Sequence, residues 1–206
     1  MRYGSARQMV FEAYRTGGNS VLAGAIQKAR WGVDVQLSNR NNNDWCIVHG
    51  LEAGAVIAIV ESLPAHLRAL ALYLFGPYTR DELAEDRETV QIALYQELLL
   101  SDGVRLPGQG KGLPTAEQLE TLRYLCAAAI YHHGEITWPY RRQGLATPRA
   151  VQSWMADECD VEVDVRFWTR TDRATWGTVW ERMLRALDSW EGECLGPVAA
   201  LVPVAA

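Results

Sequence analysis

The run ATWGTVWERMLRALDSW, residues 174–190, restricts the fold more than any other stretch of this chain. Trp176, Val179, Trp180, Met183, Leu184, Leu187 and Trp190 recur at three- and four-residue intervals and make one continuous apolar helix face. Such a face has to be covered by other elements. The rest of the chain supplies mostly further helices. Residues 5–15 carry Ala6, Met9, Val10 and Ala13 at the same spacing behind a capping Ser5. After Gly17-Gly18-Asn19, Ser20 caps a run in which Leu22, Ala25, Ile26 and Ala29 share a face. Ser38 to Asp44, SNRNNND, reads as a polar loop. Val48, Leu51, Ala55, Val56, Ile59, Val60 and Leu63 form the next stripe, stopped at Leu63-Pro64.

The following helix, AHLRALALYLFG, is apolar nearly all round, which predicts a central place in the core. Thr79 is expected to cap a short acidic helix, with a further helix from Glu88 to Leu100. Thr115 to His133 resumes the pattern through Leu119, Leu122, Cys126 and Ile130. Thr171 or Asp172 is expected to cap the last helix and Gly196-Pro197 to end it. The fold class is therefore mostly α, a multi-helix domain. One segment departs from helical spacing. In DVEVDVRFWT, residues 160–169, Val161, Val163, Val165 and Phe167 alternate with Glu162, Asp164, Arg166 and Trp168, the pattern of one strand of a small β-hairpin or wing.

Residues 101–114, SDGVRLPGQGKGLP, hold four Gly and two Pro and divide the chain. The expected organisation is an N-terminal helical lobe over 1–103, a Gly/Pro-rich linker or loop over 104–114, and a C-terminal helical lobe over 115–206. A phosphate-binding loop is rejected here. Arg105 stands where its first Gly belongs, and Gly112 follows Gly110-Lys111 where Ser or Thr is required.

A helix-turn-helix is legible between residues 140 and 155. Thr147 can N-cap a helix with Pro148 in its first position, and Val151, Trp154 and Met155 face inward. Arg149 and Gln152 then share an outward face, Arg suited to guanine and Gln to adenine in a major groove. Tyr140-Arg141-Arg142 before Gly144 reads as a short first helix, although Arg141 sits where a small residue usually packs. Arg141 and Arg142, with Arg170 and Arg173 further on, are the candidates for phosphate contact. The competing reading is an ordinary helical hairpin with surface arginines.

Charge sharpens this. The net charge is −5, which argues against coating nucleic acid by bulk attraction. Yet residues 137–156 hold Arg141, Arg142 and Arg149 and no acid. Residues 43–110 hold ten acids against four basic residues, and Asp81, Glu82 and Glu85 within them are the candidate contact for a basic protein partner.

Of the eight tryptophans, Trp154, Trp176, Trp180 and Trp190 sit on apolar stripes, leaving Trp138 and Trp168 as candidates for an exposed role. Cys46, Cys126, Cys159 and Cys194 are scattered with no CxxC pair, which suits reduced, packed thiols and gives no metal site. No GxSxG, HExxH or dinucleotide fingerprint occurs, and no cofactor or enzymatic activity is expected. The apolar runs fall far short of a membrane span, and residues 1–15 lack the uninterrupted apolar core of a signal peptide, so a cytoplasmic, nucleoid-associated protein without membrane contact is expected.

Three stretches carry a family likeness. LEAGAVIAIVESLPAHLRALALYLFGPYT, residues 51–79, resembles the helical hairpin of the Q-type late-gene antitermination proteins of lambdoid phages. Residues 174–190 are similar to the terminal helix of that group, and ATPRAVQSW, residues 146–154, resembles the recognition-helix half of a sigma region 4 module. Length and composition also suit the AlpA-type antiterminators of pseudomonads. The resemblance implies a phage or prophage transcription factor that binds a promoter-proximal element in double-stranded DNA. It further implies loading onto paused RNA polymerase, with or without sigma factor, beside the nascent RNA, so that the enzyme reads through pauses and terminators. By position, Arg141, Arg142, Arg149 and Gln152 would contact DNA. The chain departs from the group in lacking the CxxC zinc module that some Q proteins carry, and in inserting 101–114 between elements adjacent in shorter members. A static helix-turn-helix regulator and a phage inhibitor of a host complex that does not bind DNA are the alternatives.

Overall fold

The computed structural model describes residues 5–17, 42–100, 105–110 and 112–201, with side chains excepted at 16, 17 and 42–49. The expected helix at 20–29, Trp31 and residues 38–41 of the polar loop lie outside the described residues, as do the side chains of Trp45, Cys46 and His49.

Seven helices are described, α1 Ala6–Gly17, α2 Asn42–Glu61, α3 Ala65–Phe75, α4 Ala84–Leu100, α5 Ala116–Ile136, α6 Pro148–Cys159 and α7 Trp176–Ala199. Ser5 starts α1 as expected, its hydroxyl accepting from Gln8 N at 3.3 Å. The polar residues 42–44, expected in a loop, instead open α2. Of the α2 stripe, Val56 and Val60 are buried, whereas Leu51 is 71% exposed. α3 is the central helix its composition predicts, with Leu67, Ala69, Leu70, Ala71, Leu74 and Phe75 buried. Thr79 and Glu82 form a reciprocal cap, but residues 80–83 are a turn and the two expected helices are one, α4. A capping box between Thr115 and Gln118 starts α5.

Two further expectations are corrected at α7. Its N-cap is Thr175, whose hydroxyl accepts from Thr178 N, and not Thr171 or Asp172. The helix also continues through Gly196-Pro197 to Ala199, because Pro197 removes only one donor near the end while Cys194 and Val198 keep the buried face continuous.

α7 packs against α1, α2, α3, α4 and α5, so the tryptophan-rich face is covered from several sides. Met183, Leu187 and Cys194 are fully buried along it. One apolar cluster runs from Met9 and Val10 through α3, α4 and α5 to Val198, joining helices before and after residues 104–114. α6 sits at the margin and packs on α5. That marginal helix, and the segments on either side of it, carry most of the candidate site.

Neither of those segments takes the expected secondary structure. The short helix at Tyr140–Arg142 does not form. Thr137 N donates to His133 O to close α5, Pro139 offers no donor, and Arg142 N turns back to Glu135 O at 2.7 Å. Arg141 (φ 49°) and Gly144 (φ 54°) are left-handed, which ends helical propagation. The strand at 160–169 is likewise absent, and no strand occurs among the described residues. With no partner strand, the segment places its polar backbone elsewhere: Val161 N donates to Met155 O, and Val163 O accepts from the Gln152 side chain.

Candidate functional site

The sequence foretells how α6 begins. Thr147, extended at φ −123°, accepts from Ala150 N at 3.2 Å, and Pro148 occupies the first turn, where its missing N–H leaves no bond unmade. Val151 and Met155 are buried against the core, and Trp154 stacks on Tyr131 at 5.4 Å. This orientation leaves Arg149 exposed. Gln152, the other expected base-reading residue, is only half-exposed, and its Nε2 donates to Val163 O at 3.0 Å.

Residues 137–147, between α5 and α6, form the first flanking loop. Arg141 and Arg142 are both exposed on it, and the Arg142 guanidinium lies 5.0 Å from the Tyr140 ring centre. Arg142 also pairs with the buried carboxylate of Glu135 at 3.2 Å, which binds Arg80 on its other oxygen. The loop is anchored by Leu145 N, which donates to His132 Nδ1 at 2.8 Å. That bond requires Nδ1 unprotonated, and burial followed by the neighbouring His133 lowers the His132 pKa. Gly144 is required here, since a Cβ would stand 2.7 Å from His132 Nδ1 on a backbone at φ +54°.

The second flanking loop, residues 160–175, begins with Asp160 in the left-handed conformation at the end of α6. Val161, Val163 and Val165 face inward as the alternation predicts. A turn then breaks the phase: Trp168 N donates to Val165 O and Arg170 N to Phe167 O. Phe167, at φ +69°, is thrown outward and is 51% exposed, while Trp168 turns in to 6.0 Å from Trp180. The guanidinium carbons of Arg173 and Arg170 lie 4.3 and 5.1 Å from the Phe167 ring centre. Arg170 also stands 4.0 Å from Asp172, and Arg166 pairs with Asp164 at 2.9 Å.

Both loops rest on the same side chains. His132, which receives Leu145 N, lies 5.5 Å from Trp180, and Trp180 in turn contacts Trp168. α5 and α7 therefore hold the two arginine-bearing loops on either side of α6.

Trp138 and Trp168, expected to be exposed, are half-buried against the core, with Trp138 edge-on to Phe11 at 6.0 Å. In the two loops flanking α6 the exposed aromatics are instead Tyr140 and Phe167, which sequence reasoning missed. The signal available was the Phe167-Trp168 pair itself. Two adjacent aromatics cannot both enter one core face, and the larger apolar surface is the one that gains more by burial.

Asp81 and Glu85 are exposed on the acidic segment before and at the start of α4. Glu82 is exposed too but caps locally, and Thr79 backbone and hydroxyl hydrogen bonds hold its pKa below the usual carboxylate value. Beside this segment opens a cavity of about 470 Å³ lined by Phe11, Tyr73, Tyr78, Arg80 and Tyr140 among others. Among the described residues, no His, Cys or carboxylate lines it.

A second buried carboxylate, Glu191 on α7, accepts from Arg7 Nε at 2.8 Å and Thr137 Oγ1 at 3.3 Å, with His133 Nε2 at 3.0 Å. Burial alone would raise its pKa, but the His133 and Arg7 contacts outweigh it and hold the carboxyl below the usual range. Cys126 and Cys194 are buried and Cys159 half-buried, all free thiols; burial pushes Cys194 up to about 12. Among the described residues, no cluster of three His, Cys, Asp or Glu side chains could hold a metal ion, and no helix is long and apolar enough to cross a membrane.

No protein-family model matches the chain, and neither a curated protein nor a solved structure is significantly similar to it. The likeness to Q-type antiterminators therefore rests on the quoted residues alone.

Proposed function

We propose that the chain is a non-enzymatic transcription factor that docks α6 and its flanking loops on double-stranded DNA near a promoter, and from there boards RNA polymerase as an antitermination factor. One observation carries the DNA-binding part. The N-terminal turn of α6 presents Arg149 beside a loop whose Arg141 and Arg142 are exposed, and residues 137–156 contain no acid. The positive end of the helix dipole adds to the same sign of charge. In this reading Arg149 reaches a base edge and Arg141 and Arg142 hold duplex phosphate, while Arg170 and Arg173 extend the cationic surface beyond α6. Antitermination comes from the sequence resemblance, and nucleoid association follows from it. The exposed carboxylates of Asp81 and Glu85, with Glu82, are assigned to a basic surface of the polymerase.

Chromatin immunoprecipitation of the tagged chain from a bacterial host tests this. A sharp promoter-proximal peak that trails into downstream genes is the expected result. A peak without a trail would make the chain a static regulator, and no enrichment would overturn the DNA reading in favour of a protein-only inhibitor. On the recovered element, Arg149→Ala should lower affinity roughly tenfold, the scale of one lost base contact. Asp81→Lys with Glu85→Lys should weaken co-purification of polymerase without altering DNA affinity.

A further inference from the structure

We propose that Phe167 is a stacking platform for an unpaired base, with Arg170 and Arg173 set to take the phosphates on either side of that nucleotide. The inference rests on the nucleic-acid reading above for its class of ligand, and it adds a single-stranded contact to the duplex contact assigned to α6.

Three features converge on this residue. First, Phe167 is exposed although the neighbouring valines and Trp168 face the core, so its ring is not needed for packing. Secondly, its backbone is left-handed at φ +69°, which a bulky residue rarely adopts, and the turn that imposes this conformation projects the ring into solvent. Thirdly, two guanidinium groups already lie over it, Arg173 at 4.3 Å and Arg170 at 5.1 Å.

An exposed cation–π contact is a weak interaction, and a base stacked on an aromatic ring is a stronger one. A base arriving on Phe167 would therefore displace a guanidinium from the ring and leave that cation close to the strand's own phosphates. The same ring and cations would suit RNA and single-stranded DNA alike, since every base has a π face. Two acids bound the charge of the site. Asp172 stands 4.0 Å from Arg170, and Asp164 is engaged by Arg166, leaving Arg173 as the cation closest to the ring.

The test uses the full chain and fluorescence anisotropy with three labelled strands of equal length: oligothymidylate, oligouridylate and an abasic phosphodeoxyribose strand. Phe167→Ala should lose about tenfold in affinity for the base-bearing strand and nothing for the abasic one, as expected for one stacked base. Phe167→Trp should restore binding. The tighter of the two base-bearing strands then identifies RNA or DNA as the source. Phe167→Gly separates stacking from folding, because glycine accepts φ +69° freely: it should melt no lower than the unsubstituted chain and still lose the base-dependent affinity. Unchanged affinity in Phe167→Ala, or equal affinity of the unsubstituted chain for the abasic strand, overturns the proposal. In either case, the response of duplex binding to Arg149→Ala still reports on the DNA-binding function separately.

Discussion

The Gln152 side-chain amide donates to the Val163 backbone carbonyl across 3.0 Å. A residue whose position on α6 suits reading adenine thus ties that helix to the loop that follows it. Gln152→Ala should cost about 1 kcal/mol, the net worth of such a bond, and lower the melting temperature by roughly 2–4 °C in a chain of this size. Thermal melts of Gln152→Ala check this. A loss of DNA sequence preference with no change in melting would instead return Gln152 to base reading.

Gly177 and Trp168 meet backbone to backbone. A Cβ added at Gly177 would stand 1.8 Å from Trp168 O, so the loop bearing Phe167 can lie on the start of α7 only where no side chain intervenes. Gly177→Ala should therefore destabilise by more than about 2 kcal/mol. Gly192, on the same helix with nothing within 4 Å of its would-be Cβ, is the control. Gly192→Ala should stabilise by about 0.5–1 kcal/mol through helix propensity. Chemical denaturation of the pair should show opposite signs.

Stability should fall in two stages as pH is lowered. His132 has a folded pKa below its ordinary 6.5, so protonation favours the unfolded chain. Its contribution is complete above 6.5 and is lost as pH falls through the lowered folded value. Glu191, depressed below 4.5, follows the same sign in a more acidic window. His132→Asn, whose side-chain oxygen can accept from Leu145 N without titrating, should flatten the first stage and leave the second. The measurement is melting temperature against pH.

Arg141 pairs an exposed guanidinium with a strained backbone, φ +49°. Arg141→Gly should relieve about 1 kcal/mol of that strain and raise stability. If Arg141 holds a phosphate, the same change should reduce the salt dependence of duplex binding by about one counterion. Denaturation and a salt titration together read both effects. An unaltered salt slope would remove Arg141 from the interface.

Sequence alone determined the helical class, the central place of α3, the start of α6 at Thr147-Pro148 and the apolar face of α7. Each of these depends on contacts within a few residues, through periodicity, capping chemistry or the fixed φ of proline. Tertiary structure decided the rest. Valine alternation over 160–165 gave the right inward face but not a strand, because a strand needs a partner to pair its backbone, and here α6 supplies the bonds through Gln152 and Met155. The cap of α7 fell to Thr175 because the Trp168 carbonyl and the Trp168–Trp180 contact fix where the loop meets the helix. Which of two adjacent aromatics faces water was likewise a competition for one core position. Trp168 took it against Trp180, and Phe167 was left outside between two arginines.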